Sequence, residues 1–198
     1  MTMAESLLLD PKQTALVVID MQRGIMQRQT LPHAASDVLA RCARLAKQFR
    51  AVGAPVVLVN VSYSPSGEDR LNQPTDAPLM GNPDAGWDEL SPELGRTDRD
   101  ILITKRQWGA FYGTALDLHL RRRGIRTIVI AGIATNFGVE STARDAYERS
   151  YALVFVEDAM AGLTAEAHTF AITTIFSRIG RVRSTEDVLG GLAARRAG

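Results

Sequence analysis

The sequence predicts an α/β fold, a parallel sheet with helices on both faces, and three observations lead there. Short apolar runs rich in β-branched residues recur, as in TALVVID (14–20), PVVLVNV (55–61) and IRTIVIAG (125–132), which is how strands covered on both faces read. Between them apolar residues return every three or four positions, the period of a helix with one buried face. The two kinds of segment alternate at the spacing of β-α-β units with right-handed crossovers.

Taken in order, the first strand ends at Asp20. A helix is expected from Ala35, with Val38, Cys42, Leu45 and Phe49 on its apolar stripe and Gly53 at its end. The second strand is followed by an irregular stretch, Ser62 to Asp98, interrupted by five prolines and four glycines. A loop of that length in a compact fold serves as a lid, a binding loop or a partner surface. DILITK (100–105) restores a strand, and helices are expected over about Thr114–Arg123 and Val139–Arg149, on either side of the strand IRTIVIAG. YALVFVED (151–158), a helix over about 164–178 and a short strand near Arg181–Val182 complete the alternation. Ser184 caps a last helix, with Asp187 three residues on in place of the usual capping-box Glu.

A chain of 198 residues that is 45% hydrophobic suits one domain, residues 1–198, with one sizeable core. A net charge of +1 argues against nucleic acid or an anionic membrane as partner. Arg121, Arg122 and Arg123 precede Gly124 and read as cations against a helix C-terminus. The single cysteine, Cys42, excludes an internal disulfide and, on the apolar stripe, reads as a buried structural thiol. The only apolar run near the N-terminus is Leu7–Leu9, too short for a signal-peptide core, and no stretch approaches the ~20 apolar residues of a membrane span. A cytoplasmic setting is expected.

In open parallel sheets ligands bind beyond the carboxyl ends of the strands. Three such ends stand out: VVID delivers Asp20, ILITK delivers Lys105, and VIAG delivers the turn GIATNFG, residues 132–138. Other motifs fail. The turn has neither dinucleotide-binding spacing nor a P-loop lysine, and there is no GxSxG elbow. His33, His119 and His168 show no metal-ligand spacing, and the latter two read as surface or packing residues of helices. No cofactor and no metal are expected.

TALVVIDMQRGI, ILITKRQWGAFYGTALDLHLRRRGI and TIVIAGIATNFGVESTARDAYERSYALVFVEDAMAG closely resemble the isochorismatase-like hydrolases, the cysteine hydrolase superfamily, in order and spacing from about residue 14 to 183. The resemblance implies a three-layer α/β/α fold with a six-stranded parallel sheet of order 3-2-1-4-5-6, and a homodimer or homotetramer. Most members carry an Asp–Lys–Cys triad. Asp20 and Lys105 match the first two, and the cysteine position falls on Gly138. The resemblance also implies a non-proline cis peptide between Ile133 and Ala134, turning backbone N–H groups toward one point as an anion or oxyanion site.

Glycine cannot supply the covalent nucleophile of the family's amidases. The nicotinamidase branch carries an Asp/His metal site after the second strand, where this chain reads VNVSYSPSG without histidine. The family's isochorismatases also have glycine at the cysteine position and cleave a vinyl ether, which needs a proton and water rather than a thiolate. On that reading Asp20 is the general acid and Lys105 positions it or binds a substrate carboxylate. Burial must then outweigh the pull of the ammonium on the pKa of Asp20. Thr135 and Asn136, however, follow the cysteine branch. Gln22, Trp108, Phe111, Tyr112, Thr135 and Asn136 are candidates to line a small-molecule pocket, the aromatics equally reading as loop packing. The competing readings are a non-catalytic descendant binding a small ligand or a protein, an amidohydrolase with an unusual nucleophile, and a flavodoxin-like binder, which lacks a phosphate signature.

Overall fold

The computed structural model describes residues 7–77 and 83–193. β1 (Thr14–Ile19) is buried along its whole length because it lies at the centre of the sheet, paired in parallel with β2 (Val56–Val61) on one side and β4 (Thr127–Ile133) on the other. β3 (Ile101–Lys105) pairs with β2, β5 (Ala152–Ala161) with β4, and β6 (Arg181–Arg183) with β5. Among the described residues the strands form one six-stranded sheet of order β3-β2-β1-β4-β5-β6, the order that the resemblance implies.

The period of two along β1 feeds two cores. Leu16 and Val18 pack with α2 (Ala35–Ala51) and α7 (Thr185–Ala193), whereas Ala15, Val17 and Ile19 pack with α3 (Leu116–Arg122) and α4 (Glu140–Glu148). Cys42 sits in the first of these cores with its thiol on the Ala159 carbonyl; burial and then the Asp158 carboxylate push its pKa up to about 12. The remaining helical turns are α1 (Arg23–Met26), α5 (Ala165–Phe170) and α6 (Ser177–Ile179), the last two joined by a π-helical segment over Ala171–Phe176. α7 begins as expected: the Ser184 N–H donates to Asp187 Oδ2 at 3.0 Å and the Asp187 N–H donates back to Ser184 Oγ at 3.2 Å.

Two departures from the expected elements matter. β3 exposes Leu102 and Thr104, so the run ILITK alternates as an edge strand with one covered face. β5 continues beyond Asp158 to Ala161, because its register against β4 shifts: Ile130 faces Phe155, but Gly132 faces Met160. The irregular stretch between those pairings carries Glu157 and Asp158, whose charges make the strand look finished in sequence. At Gly132, φ is +120° and a β-carbon would fall 2.1 Å from the Ile19 carbonyl oxygen, so only glycine lets β4 lie this close to β1.

The 62–98 stretch is tied down at several points on either side of its exposed residues 71–77. Tyr63 stacks on Trp87, Asn60 Nδ2 donates to the Asp88 carbonyl, and Arg106 pairs with Asp69. Residues 78–82 lie outside the described residues.

Candidate active site

Asp20 and Lys105 come from strands separated by β2, yet their side chains meet. Lys105 Nζ donates to Asp20 Oδ2 at 2.7 Å and to the Gln107 carbonyl at 3.1 Å. Both are buried, Asp20 5% and Lys105 2% exposed, which removes the solvent screening that makes surface pairs weak. Asp20 holds a left-handed φ of 52°, rare for a side chain other than Asn or Asp and concentrated at functional sites. Its Oδ1 is buried with no hydrogen-bond partner. Burial pushes the Asp20 pKa up to about 6, against the downward pull of the Lys105 ammonium. Desolvation is the larger effect.

The third element is the corner after β4. The Ile133–Ala134 peptide is cis, and a π-helical turn over Thr135–Val139 leads into α4. The Ala134 carbonyl accepts from both the Phe137 and Val139 N–H groups, which widens the start of the helix. Gly138 faces the ion pair: a β-carbon there would stand 3.0 Å from Asp20 Oδ2, 3.1 Å from Ile19 Cγ2 and 3.4 Å from the Trp108 carbonyl. The structure therefore brings Asp20, Lys105 and Gly138 to one point.

The other candidates divide. Trp108 is 56% exposed and meets Phe137 edge to face at 4.9 Å, roofing the corner. Gln22 is fully buried and spent on backbone: its amide donates to the Val61 and Trp87 carbonyls and accepts from the Val61 N–H. Phe111 lies in the core against Tyr151, and Tyr112 is 77% exposed. Thr135 is buried with its hydroxyl on His168 Nδ1 at 2.8 Å, and Asn136 Oδ1 is buried without a partner.

Three features escape a reading of the sequence. Thr142, on α4, donates to the Gly138 carbonyl at 2.6 Å and accepts from the Ala110 N–H at 3.1 Å, bracing the corner against the loop after β3. Tyr63 feels the Asp20 charge; burial raises its pKa, the Arg70 guanidinium opposes, and the Asp20 carboxylate adds to the rise. Thirdly, His33, Glu157 and His168, distant in sequence, gather beside the register shift in β5 with one possible ligand atom from each within 4.8 Å of the others. His168 is thus neither on the surface nor in purely apolar packing.

The fold and this corner define a parallel α/β protein with a buried acid–base pair at the carboxyl rim of its sheet. The isochorismatase domain family matches residues 14–187. The chain is 52% identical to an uncharacterized isochorismatase family protein, YecD, of Escherichia coli O157:H7, over 93% of this chain and 98% of that one. It is 33% identical to the ureidoacrylate amidohydrolase RutB of Methylobacterium radiotolerans, over 94% and 83% respectively. Among solved structures, an isochorismatase family protein of Burkholderia thailandensis superposes with a TM-score of 0.91 at 47% identity, covering 96% of this chain and all of that one. The chain belongs to the isochorismatase family of hydrolases.

Proposed function

We propose that the protein hydrolyses a small molecule without a cysteine nucleophile, and that the bond it cleaves is a vinyl ether. The observation that carries this reading is Asp20 itself: one oxygen is held by Lys105, the other is buried and unpaired, and its pKa is raised to about 6. A carboxyl group so placed keeps its proton up to about pH 6, with a minority still protonated near neutrality, and can deliver it. Gly138 stands where thiol members of the family carry cysteine and contributes only backbone.

The proton of Asp20 goes to the terminal carbon of the enol ether, forming a C–H bond and leaving an oxygen-stabilised cation. Water adds to the cationic carbon and returns a proton to the Asp20 carboxylate. The resulting hemiketal loses its alcohol, giving a ketone and a free hydroxyl compound. Lys105 has three N–H donors, two of them engaged by Asp20 and Gln107, and the third serves a substrate oxygen. No cofactor enters these steps.

The amidohydrolase names of relatives such as RutB favour a second reading, amide hydrolysis with another nucleophile. A screen of enol ethers and ureido or carbamoyl amides, run on wild type and Gly138→Cys, separates the two. Enol ether turnover by wild type, with amidase activity only in the variant, is the expected outcome. Amide hydrolysis by wild type with no enol ether turnover overturns it. The variant must shift Asp20 or Ile19 by a few tenths of an ångström to seat its β-carbon, so its fold is checked by circular dichroism first.

A further inference from the structure

Glu157 is a carboxylate at the rim of the sheet whose ion-pairing partners are two imidazoles. His33 Nε2 lies 3.2 Å and His168 Nε2 3.4 Å from its Oε1. Both distances match the edge of a tetrahedron built on ~2.05 Å metal–ligand bonds, which is about 3.3 Å. We propose that His33, Glu157 and His168 bind one divalent transition-metal ion of the zinc type, at a site that shares no residue with the Asp20–Lys105 pair.

The donor set, two imidazole nitrogens and one carboxylate oxygen, is the borderline combination that zinc and cobalt take and that magnesium and calcium do not. The far side of His168 is already fixed, with Nδ1 2.8 Å from the buried Thr135 hydroxyl. With the proton on Nδ1 donating to Thr135 Oγ1, the Nε2 lone pair points at Glu157, the outer-shell arrangement that orients a metal-bound histidine. That tautomer sets a lone pair against a carboxylate unless a cation stands between them.

Three separate segments converge to make the cluster. His33 follows Pro32 in the loop that bridges Gly162, Glu157 is turned outward by the register shift in β5, and His168 lies on α5. The His33 and Glu157 side chains are 25% and 38% exposed, which gives an ion a path from solvent and leaves a coordination position for water. This place is also remote in the chain from the stretch after β2 where the nicotinamidase branch holds its metal.

The test uses the whole protein after chelator treatment. Isothermal titration with zinc chloride is expected to show one ion per chain with a Kd in the micromolar range or tighter, and excess zinc raises the Tm by several degrees. Cobalt(II) is expected to give the intense visible absorption of a low-symmetry four- or five-coordinate site. His33→Asn and Glu157→Gln, both at the rim, each weaken zinc binding at least tenfold, while His119→Asn, outside the cluster, leaves it unchanged. Zinc binding as tight in Glu157→Gln as in wild type overturns the proposal. So does the lack of a stoichiometric cobalt spectrum in wild type, a result independent of how the variants fold.

Discussion

Two polar clusters stand at the carboxyl rim of the sheet, and the chain builds them differently. Asp20 directly follows the buried strand β1, Lys105 ends the edge strand β3, and the sheet order carries them to one another. His33, Glu157 and His168 come from a loop, a strand irregularity and a helix. The first cluster is sealed, with both side chains under a tenth exposed; the second opens to solvent through His33 and Glu157. Sealing is what lifts the pKa of Asp20, and openness is what admits an exchangeable ion. The corner of residues 134–138 touches both, Gly138 on the Asp20 side and Thr135 on the His168 side.

The largest expected effect falls on the sealed cluster. Asp20→Asn keeps the shape and removes the proton, so kcat/KM on an enol ether substrate should drop about a thousandfold, within the range for losing a general acid. Far-UV circular dichroism and zinc affinity should stay at wild-type levels. Full activity in this variant would remove Asp20 from the chemistry. In wild type kcat/KM should fall about tenfold per pH unit above about 6, as the acid form of Asp20 is lost.

Lys105→Met comes next, and it sharpens the contrast in stability. The folded pKa of Asp20 is raised, so its contribution to stability is fully present below its unfolded value of about 4 and is lost as pH rises through about 6. Without the ammonium, that loss begins at the same pH but runs on to higher pH. The Tm gap between wild type and variant should therefore widen from about pH 5 to about pH 8, toward the roughly 3–5 kcal/mol cost of stranding a buried charge. A gap independent of pH would mean that Lys105 does not hold Asp20 ionised.

Gly138→Ala probes the space between the pair and the corner. Its β-carbon would meet the end of the Asp20 side chain at 3.0 Å and Ile19 at 3.1 Å, contacts that require small shifts. Overpacking of this kind costs about 1–3 kcal/mol. Chemical denaturation measures it, and a neutral result would show that the pocket yields freely.

The first cluster was legible in the sequence and the second was not, for physical reasons. A run such as TALVVID announces both a strand and its end, so Asp20 could be placed before any coordinates; the same holds for Lys105 and for the corner after β4. His33, Glu157 and His168 carry no common period, and only the shifted β5 register brings Glu157 out to meet the histidines. That shift also hid the last residues of β5, because Glu157 and Asp158 interrupt its apolar run. Aromatic residues in the loop after β3 could not be sorted either. Without a period to read, Phe111 in the core and Tyr112 in solvent look alike.

The smallest expected effect concerns a brace that neither cluster owns. Thr142 Oγ1 both donates to the Gly138 carbonyl and accepts from the Ala110 N–H, so one hydroxyl joins α4, the corner and the loop after β3. Thr142→Val keeps the volume and leaves that buried N–H without its acceptor, at a cost of about 1–2 kcal/mol. Thr142→Ser keeps the hydroxyl and should lose less. If the brace positions Gly138 against Asp20, the valine variant should also lower kcat about threefold, with KM less affected, and serine should restore it. Equal losses of stability in both variants, with kcat untouched, would make Thr142 a packing residue only. The corner would then be held by the sheet and its own turn.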